Sequence, residues 1–307
     1  MTDLFGRIGG WLYQRPYLLL AITYFTWATN IVIGRYVAGH VPQMALSFYR
    51  WGLAFLILLP FAWLHLKRDW PEIRKHLPLM TLISIAGTAG YSLPAYWGLQ
   101  YTEAINGLLI QTSAPLVFAL LTFIMFRDRL KMAQVLGIIV SAVGVIVIIS
   151  RGDPLLLRDV TFNHGDIWFF GALLVIAFYS ALLRLRPAMH PLSFLTFTLG
   201  VGTLICLPLY VWEVLAIAAT PGDMTTLLSL TFIAIFPTVV AYVCFNRGVE
   251  LVGPNRAAAM YPTIVAFGAV FAIGLLGEKP QIFHAVGCLL IFLGVIIATR
   301  APRIAAQ

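Results

Sequence analysis

Charge is scarce in this sequence. Asp, Glu, Lys and Arg make up 10% of its 307 residues and hydrophobic types 61%, where a soluble domain carries about 25% charged and about 45–50% apolar residues. So little polar surface excludes a water-soluble fold. Cysteine is sparse too: Cys206, Cys244 and Cys288 stand singly in three separate apolar stretches, with neither metal-ligand spacing nor extracellular pairing. They read as small core side chains. The chain has no HExxH, no paired acids within an apolar stretch and no phosphate-cradling glycine loop. No catalytic residue, metal site or cofactor is therefore expected, and a nucleotide-driven pump within this chain is excluded.

The acids are missing from one place in particular. All 12 Asp and Glu lie between the apolar stretches or within about a turn of their ends. Intramembrane carboxylates are the usual proton relays of coupled pumps, so their absence favours facilitated diffusion. Histidines do not replace them: His40, His76, His164 and His190 fall in loops or at edges, His65 near one end, and His284 a turn into the last stretch.

What is present is length and apolarity. A bilayer-spanning helix takes about 20 apolar residues, and ten such stretches recur: Tyr17–Tyr36, Met44–Leu66, Leu77–Tyr96, Ala104–Phe126, Met132–Ile149, Asp166–Leu185, Pro191–Trp212, Leu227–Asn246, Ala257–Leu276 and Ile282–Thr299. The first has no cleavage site before the next and is expected to stay as a membrane helix. With the N-terminus in the cytoplasm, the inner loops hold Arg7, Arg15, Lys67, Arg68, Arg74, Lys75, Arg127, Arg129, Lys131, Arg184, Arg186, Arg247, Arg256, Arg300 and Arg303. The outer loops hold only Arg35, Arg151, Arg158 and Lys279. An excess of Lys and Arg on the cytoplasmic side orients membrane proteins. The net charge of +8 thus reports topology rather than a nucleic-acid partner.

A shift of 150 residues aligns Gly98 with Gly248, Asp128 with Glu278, Gly137 with Gly287, Gly144 with Gly294, and Val145 and Ile146 with Val295 and Ile296. The chain reads as a duplicated unit of five helices. An odd number turns the second unit upside down in the membrane, which places a pseudo-two-fold axis in the membrane plane and the substrate site between the halves. The expected organisation is a cytoplasmic segment 1–15, a first repeat 16–150, an outer linker 151–163, a second repeat 164–300 and a cytoplasmic tail 301–307.

The acidic steps in FRDRLKMAQVLG and LLGEKPQIFHAVG, each leading into a glycine-rich helix (GIIVSAVGVIVI and GCLLIFLGVIIA), resemble the EamA repeat of the drug/metabolite transporter (DMT) superfamily. The resemblance covers nearly the whole chain and implies an all-α integral membrane fold of ten helices, alternating access and a central cavity. Its aromatic-rich helices are most similar to those of the YddG-type amino-acid exporters. This implies export of aromatic or neutral amino acids and related metabolites from a cell inner membrane, with lipid as the surrounding partner and a monomer as a workable unit. The small multidrug-resistance relatives use a glutamate in their first helix; here TYFTWATNIVIG offers Trp27 and Asn30 instead.

Prolines inside membrane helices survive where protein or a cavity satisfies the freed backbone groups. Pro94, Pro115, Pro237 and Pro262 interrupt the helices that, by the resemblance, line the cavity, and are read as kinks or gates. Around them lie the candidate site residues: Tyr91 and Ser92 before Pro94; Gln111, Thr112 and Ser113 before Pro115; Tyr261 before Pro262; Tyr179 with Ser180; Tyr242 and Asn246 four apart; Trp27 and Asn30 three apart. Aromatic faces with neutral donors and acceptors suit a zwitterion with an apolar side chain. Arg50 is the lone basic residue deep within a stretch, about two turns from its outer end, whereas Arg35 and Arg184 stand at stretch ends. Two readings stay open for it: a contact to a substrate anion, or a tie to backbone carbonyls, which the resemblance favours. Its neighbours Tyr49 and Trp51 are not expected to share its face. Anionic cargo such as nucleotide sugars or phosphorylated metabolites would call for several such cations; a drug cargo remains the other alternative. The spacing of Gly137 with Gly144 and of Gly287 with Gly294 suits close helix packing at the repeat interface or a dimer surface.

Overall fold

The computed structural model of the protein describes residues 10–37, 39–101, 110–111, 113–159, 163–276 and 281–300. Among these residues the regular structure is entirely helical. The α-helices are α1 (Pro16–Tyr36), α2 (Gln43–Lys75), α3 (Leu77–Gly87), α4 (Ala89–Tyr101), α5 (Ala114–Phe126), α6 (Met132–Ile149), α7 (His164–Leu182), α8 (Pro191–Ala216), α9 (Met224–Ala234), α10 (Ala241–Val252), α11 (Pro254–Ala259), α12 (Thr263–Leu276) and α13 (Ile282–Arg300). Six helical runs among the described residues are long and apolar enough to cross a membrane: Gln43–Lys75, Met132–Ile149, His164–Leu185, Pro191–Ala216, Met224–Val252 and Ile282–Arg300. Their outward faces carry exposed Leu, Ile and Phe, as Leu289, Phe292, Leu293, Ile296 and Ile297 do on α13. Small hydroxyl residues such as Ser47, Ser84, Thr196 and Thr198 point inward. Apolar outside and packed inside is the arrangement that lipid favours.

Three expected single helices are interrupted, the third, the eighth and the ninth. The third apolar stretch parts at Thr88 rather than bending at Pro94, which lies inside α4. The eighth stretch carries a π-helical segment, Ile235–Val240, between α9 and α10. Pro115 and Pro262 do not kink helix interiors either. Pro115 sits in the first turn of α5, and Pro262 in the turn between α11 and α12. Proline suits a helix start, where its missing N–H is unneeded. The second stretch runs on to Lys75, well past the expected end at Leu66.

The two halves meet most intimately where α6 crosses α13. A Cβ on Gly137 would stand 2.4 Å from the Gly294 carbonyl, and one on Gly144 2.7 Å from that of Gly287. Backbone therefore lies on backbone, which only glycine permits at these positions. Ser141 Oγ donates to the Ile291 carbonyl at 3.2 Å, and Ile291 is the residue that the 150-residue offset assigns to Ser141. A residue touching its own counterpart lies on the two-fold axis, so these glycines belong to the repeat interface.

A buried acid holds the start of α2. Its N-cap, Pro42, has no acceptor to offer, and the first N–H groups of a helix need one. Glu213, near the end of α8, supplies it: Oε1 accepts from Met44 N at 3.0 Å and Oε2 from Ala45 N at 2.7 Å. We predict that Glu213→Ala lowers stability by about 1–2 kcal/mol, a lost cap together with a lost carboxylate at a helix N-terminus. Glu213→Gln, which keeps one acceptor, recovers part of it. Thermal unfolding in detergent checks this; equal melting of Ala and Gln variants would reject the capping role.

Candidate substrate site

The breaks in the helices fall at matched places in the two halves. The 150-residue offset carries Thr88 onto Thr238 and Ser113 onto Thr263. Each of the four hydroxyls donates to a backbone carbonyl at its break: Thr88 Oγ1 to Ser84 O at 2.6 Å, Thr238 Oγ1 to Ile233 O at 2.8 Å, Ser113 Oγ to Ile110 O at 2.6 Å, and Thr263 Oγ1 to Met260 O at 2.7 Å. Ile233 is the carbonyl that Pro237, lacking an N–H, leaves unpaired. Interrupted helices in corresponding positions of inverted halves are the strongest structural pointer to a transport site, and π-turns often mark functional positions.

Between these breaks lies a buried aromatic cluster drawn from both halves. Trp27 of α1 is its centre, with ring centroids of Phe245, Tyr24, Tyr242 and Tyr261 at 5.1, 5.7, 6.0 and 6.3 Å. Trp51 stands edge-on to Tyr242 at 5.6 Å, and Tyr179 lies 6.1 Å from Tyr242. Most of the polar tips are tied to backbone or amide: Tyr242 OH to Gly87 O and Tyr24 OH to Ala257 O, both at 2.6 Å, Tyr179 OH to Asn246 Oδ1 at 2.7 Å, and Trp27 Nε1 to Pro237 O at 3.2 Å. Gly87 is required here: any Cβ would stand 2.4 Å from the Tyr179 ring.

Arg50 is fully enclosed. Nε donates to Thr238 Oγ1 and Nη1 to Tyr96 OH, both at 2.9 Å, and Nη2 to Pro237 O at 3.2 Å. Its guanidinium lies 4.6 Å from the Trp51 ring. Contrary to the expectation for adjacent residues, Trp51 does share its surroundings, because both side chains are long enough for the guanidinium to lie against the indole ring. Thus α2 is stapled to the break in the eighth stretch.

Of the expected site residues, Trp27, Tyr179, Tyr242, Asn246 and Tyr261 come together, and Ser92 joins them by accepting from Trp51 Nε1 at 3.1 Å. Tyr91 packs on the same core. Ser113 serves a helix end instead. Thr112 lies outside the described residues. Gln111 Oε1, Ser180 Oγ and Asn30 Oδ1 are buried without a hydrogen-bond partner. Such groups are rare in folded proteins, and a polar ligand would satisfy them. Tyr24, Trp51, Tyr96, Thr238 and Phe245 were not expected in the site. Tyr24 was within reach, since it precedes Trp27 by three residues on one helix face. The others are brought in by contacts across about 40–190 residues of chain.

Two buried carboxylates occur among the described residues, Asp166 and Glu213. Glu213 caps α2, and Asp166 closes the first turn of α7 by accepting from Asn163 N at 2.6 Å. Both stand at helix ends, away from the aromatic cluster.

A profile of the EamA-like transporter family matches residues 14–150 and 163–300. Among curated proteins, the uncharacterized transporter YyaM of Bacillus subtilis is 26% identical over 290 residues, covering 94% of each chain. An uncharacterized transporter of Archaeoglobus fulgidus is 27% identical over 290 residues, 93% of this chain and 98% of its own. The uncharacterized inner membrane transporter YicL of Salmonella typhimurium is 21% identical over 295 residues, covering 94% and 97%. A solved crystal structure superposes with a TM-score of 0.73 at 16% identity, over 94% of this chain and 96% of the other; that likeness concerns the fold alone.

Proposed function

The chain belongs to the EamA-like transporter family, and on that premise we propose that it exports neutral and aromatic amino acids and related small metabolites across the inner membrane. It does so by alternating access through ten spans in two inverted sets of five, with both termini in the cytoplasm. The membrane-transporter role follows from the family. The cargo is our reading of the site, and one observation carries it: an aromatic cluster built from both halves, in a helical core where Gln111 Oε1 and Ser180 Oγ are buried without partners. Ring faces accept an apolar side chain, and neutral donors and acceptors hold charged ends without fixing a net charge. Arg50 we read as structural, since its fork is committed to Thr238, Tyr96 and Pro237. The commitment of Asp166 and Glu213 to helix termini supports uncoupled movement down the substrate gradient.

The test is uptake into liposomes of labelled amino acids, organic cations and sugar phosphates, with and without a pH gradient. Neutral and aromatic amino acids should enter without a gradient. Acceleration only by protons would sink the uncoupled mechanism, and a preference for sugar phosphates would sink the cargo. Gln111→Ala and Tyr261→Ala should each raise the apparent KM about tenfold, the scale of one lost polar or ring contact. Unchanged kinetics in correctly inserted protein would remove those residues from the site.

A further inference from the structure

Beside Asn246 a narrow recess with about 20 Å³ of free room lies at the arginine-rich end of the helices, lined by Tyr13, Arg186, Leu195, Asn246, Arg247 and Glu250 among others. The two arginines are mostly enclosed, their side chains 13% and 17% exposed, and they share a single carboxylate. Arg247 Nη1 lies 3.1 Å from Glu250 Oε1, and Arg186 Nη2 lies 3.5 Å from Glu250 Oε2. Both guanidiniums are held from behind. Arg247 lies over the Tyr13 ring at 4.3 Å with Nε donating to Tyr13 O at 3.3 Å, and Arg186 lies over the Phe194 ring at 5.0 Å. Two fixed cations against one anion leave a unit of positive charge in the recess wall. The contact to Arg186 exceeds hydrogen-bond length, so its fork retains donors for a second carboxylate. Asn246 both lines the recess and partners Tyr179 in the aromatic cluster.

We propose that this recess is a carboxylate-binding vestibule. Arg186 and Arg247 receive the carboxylate of a small organic acid, and Glu250 is the resident counter-ion whose place it takes, which supplies the room that the narrow recess lacks. Two guanidiniums in a partly desolvated wall bind a carboxylate by paired, charge-assisted hydrogen bonds. With amino acids as cargo the proposal rests on the reading above; the recognition of a carboxylate does not.

Calorimetric titration of the purified full-length protein with 3-phenylpropionate and 3-phenylpropionamide separates the two. The acid should bind, and the amide should bind about tenfold more weakly or worse. Arg186→Gln and Arg247→Gln should weaken the acid about tenfold and leave the amide unchanged. Glu250→Gln, which removes the competing anion, should tighten the acid several-fold. That gain cannot arise from damaged folding. Equal binding of acid and amide, or weaker acid binding by Glu250→Gln, overturns the vestibule. Selective acid binding by a protein that moves no amino acid upholds the vestibule and overturns the cargo.

Discussion

Arg50→Met is expected to destabilise the protein by about 3–5 kcal/mol, the scale of breaking a buried, hydrogen-bonded charge network. Methionine matches the length and apolarity of the arginine stem but donates nothing. Thr238 Oγ1, Tyr96 OH and the Pro237 carbonyl each lose a donor, and in lipid no water replaces it. Arg50→Lys should recover little, because one ammonium cannot reproduce three fixed donors reaching Thr238, Tyr96 and Pro237. Thermal unfolding in detergent gives the loss, and uptake by the surviving folded fraction gives the role. A staple predicts lower melting with a near-normal KM. A stable Arg50→Met protein with a sharply raised KM would return Arg50 to the substrate.

Gly144→Leu is expected to abolish assembly. An added Cβ meets the Gly287 carbonyl at 2.7 Å and Ile291 N at 2.8 Å. These are backbone atoms, which cannot rotate away as a side chain would. The helices must separate along the length of the crossing, also losing the Ser141–Ile291 hydrogen bond. Overpacking of this kind costs about 3 kcal/mol or more. Gly171→Leu is the control, since an added Cβ there meets nothing within 4 Å. Size-exclusion profiles should show Gly144→Leu aggregated and Gly171→Leu monodisperse. Monodisperse Gly144→Leu with unaltered melting would mean that the crossing is looser than described.

Some of this could be read from residue order and some could not. The α6–α13 crossing was legible because small residues seven apart leave a flat helix face whatever their neighbours, and because the offset repeats the pattern. The break at Thr88 was not: threonine carries no helix-stopping chemistry. Its hydroxyl matters only because Tyr242, 155 residues away, takes the adjacent Gly87 carbonyl. Pro94 misled for the converse reason, since α4 runs through it. Arg50 left two readings open because no local feature tells a staple from a ligand contact, and its three partners sit 46 to 188 residues away. Helical spacing places Trp51 off the face of Arg50, because spacing ignores how far long side chains reach.

The arginine staple also has no mirror image. The offset that carries Thr238 back to Thr88 carries Arg50 forward to Gly200, a residue with no side chain to offer. Beside Thr88 the second half brings up Gly202 instead, close enough that an added Cβ would stand 2.5 Å from Thr88 Oγ1. In an alternating-access cycle the inward- and outward-facing forms arise by the halves exchanging roles. With perfectly matched halves they would be equally populated. A network of three hydrogen bonds made by an arginine that only one half carries makes them unequal in energy, and a difference of about 1.4 kcal/mol is already a tenfold skew. On the alternating-access reading proposed above, the unloaded transporter would rest on one side of the membrane, with the sequence asymmetry at positions 50 and 200 helping to decide which.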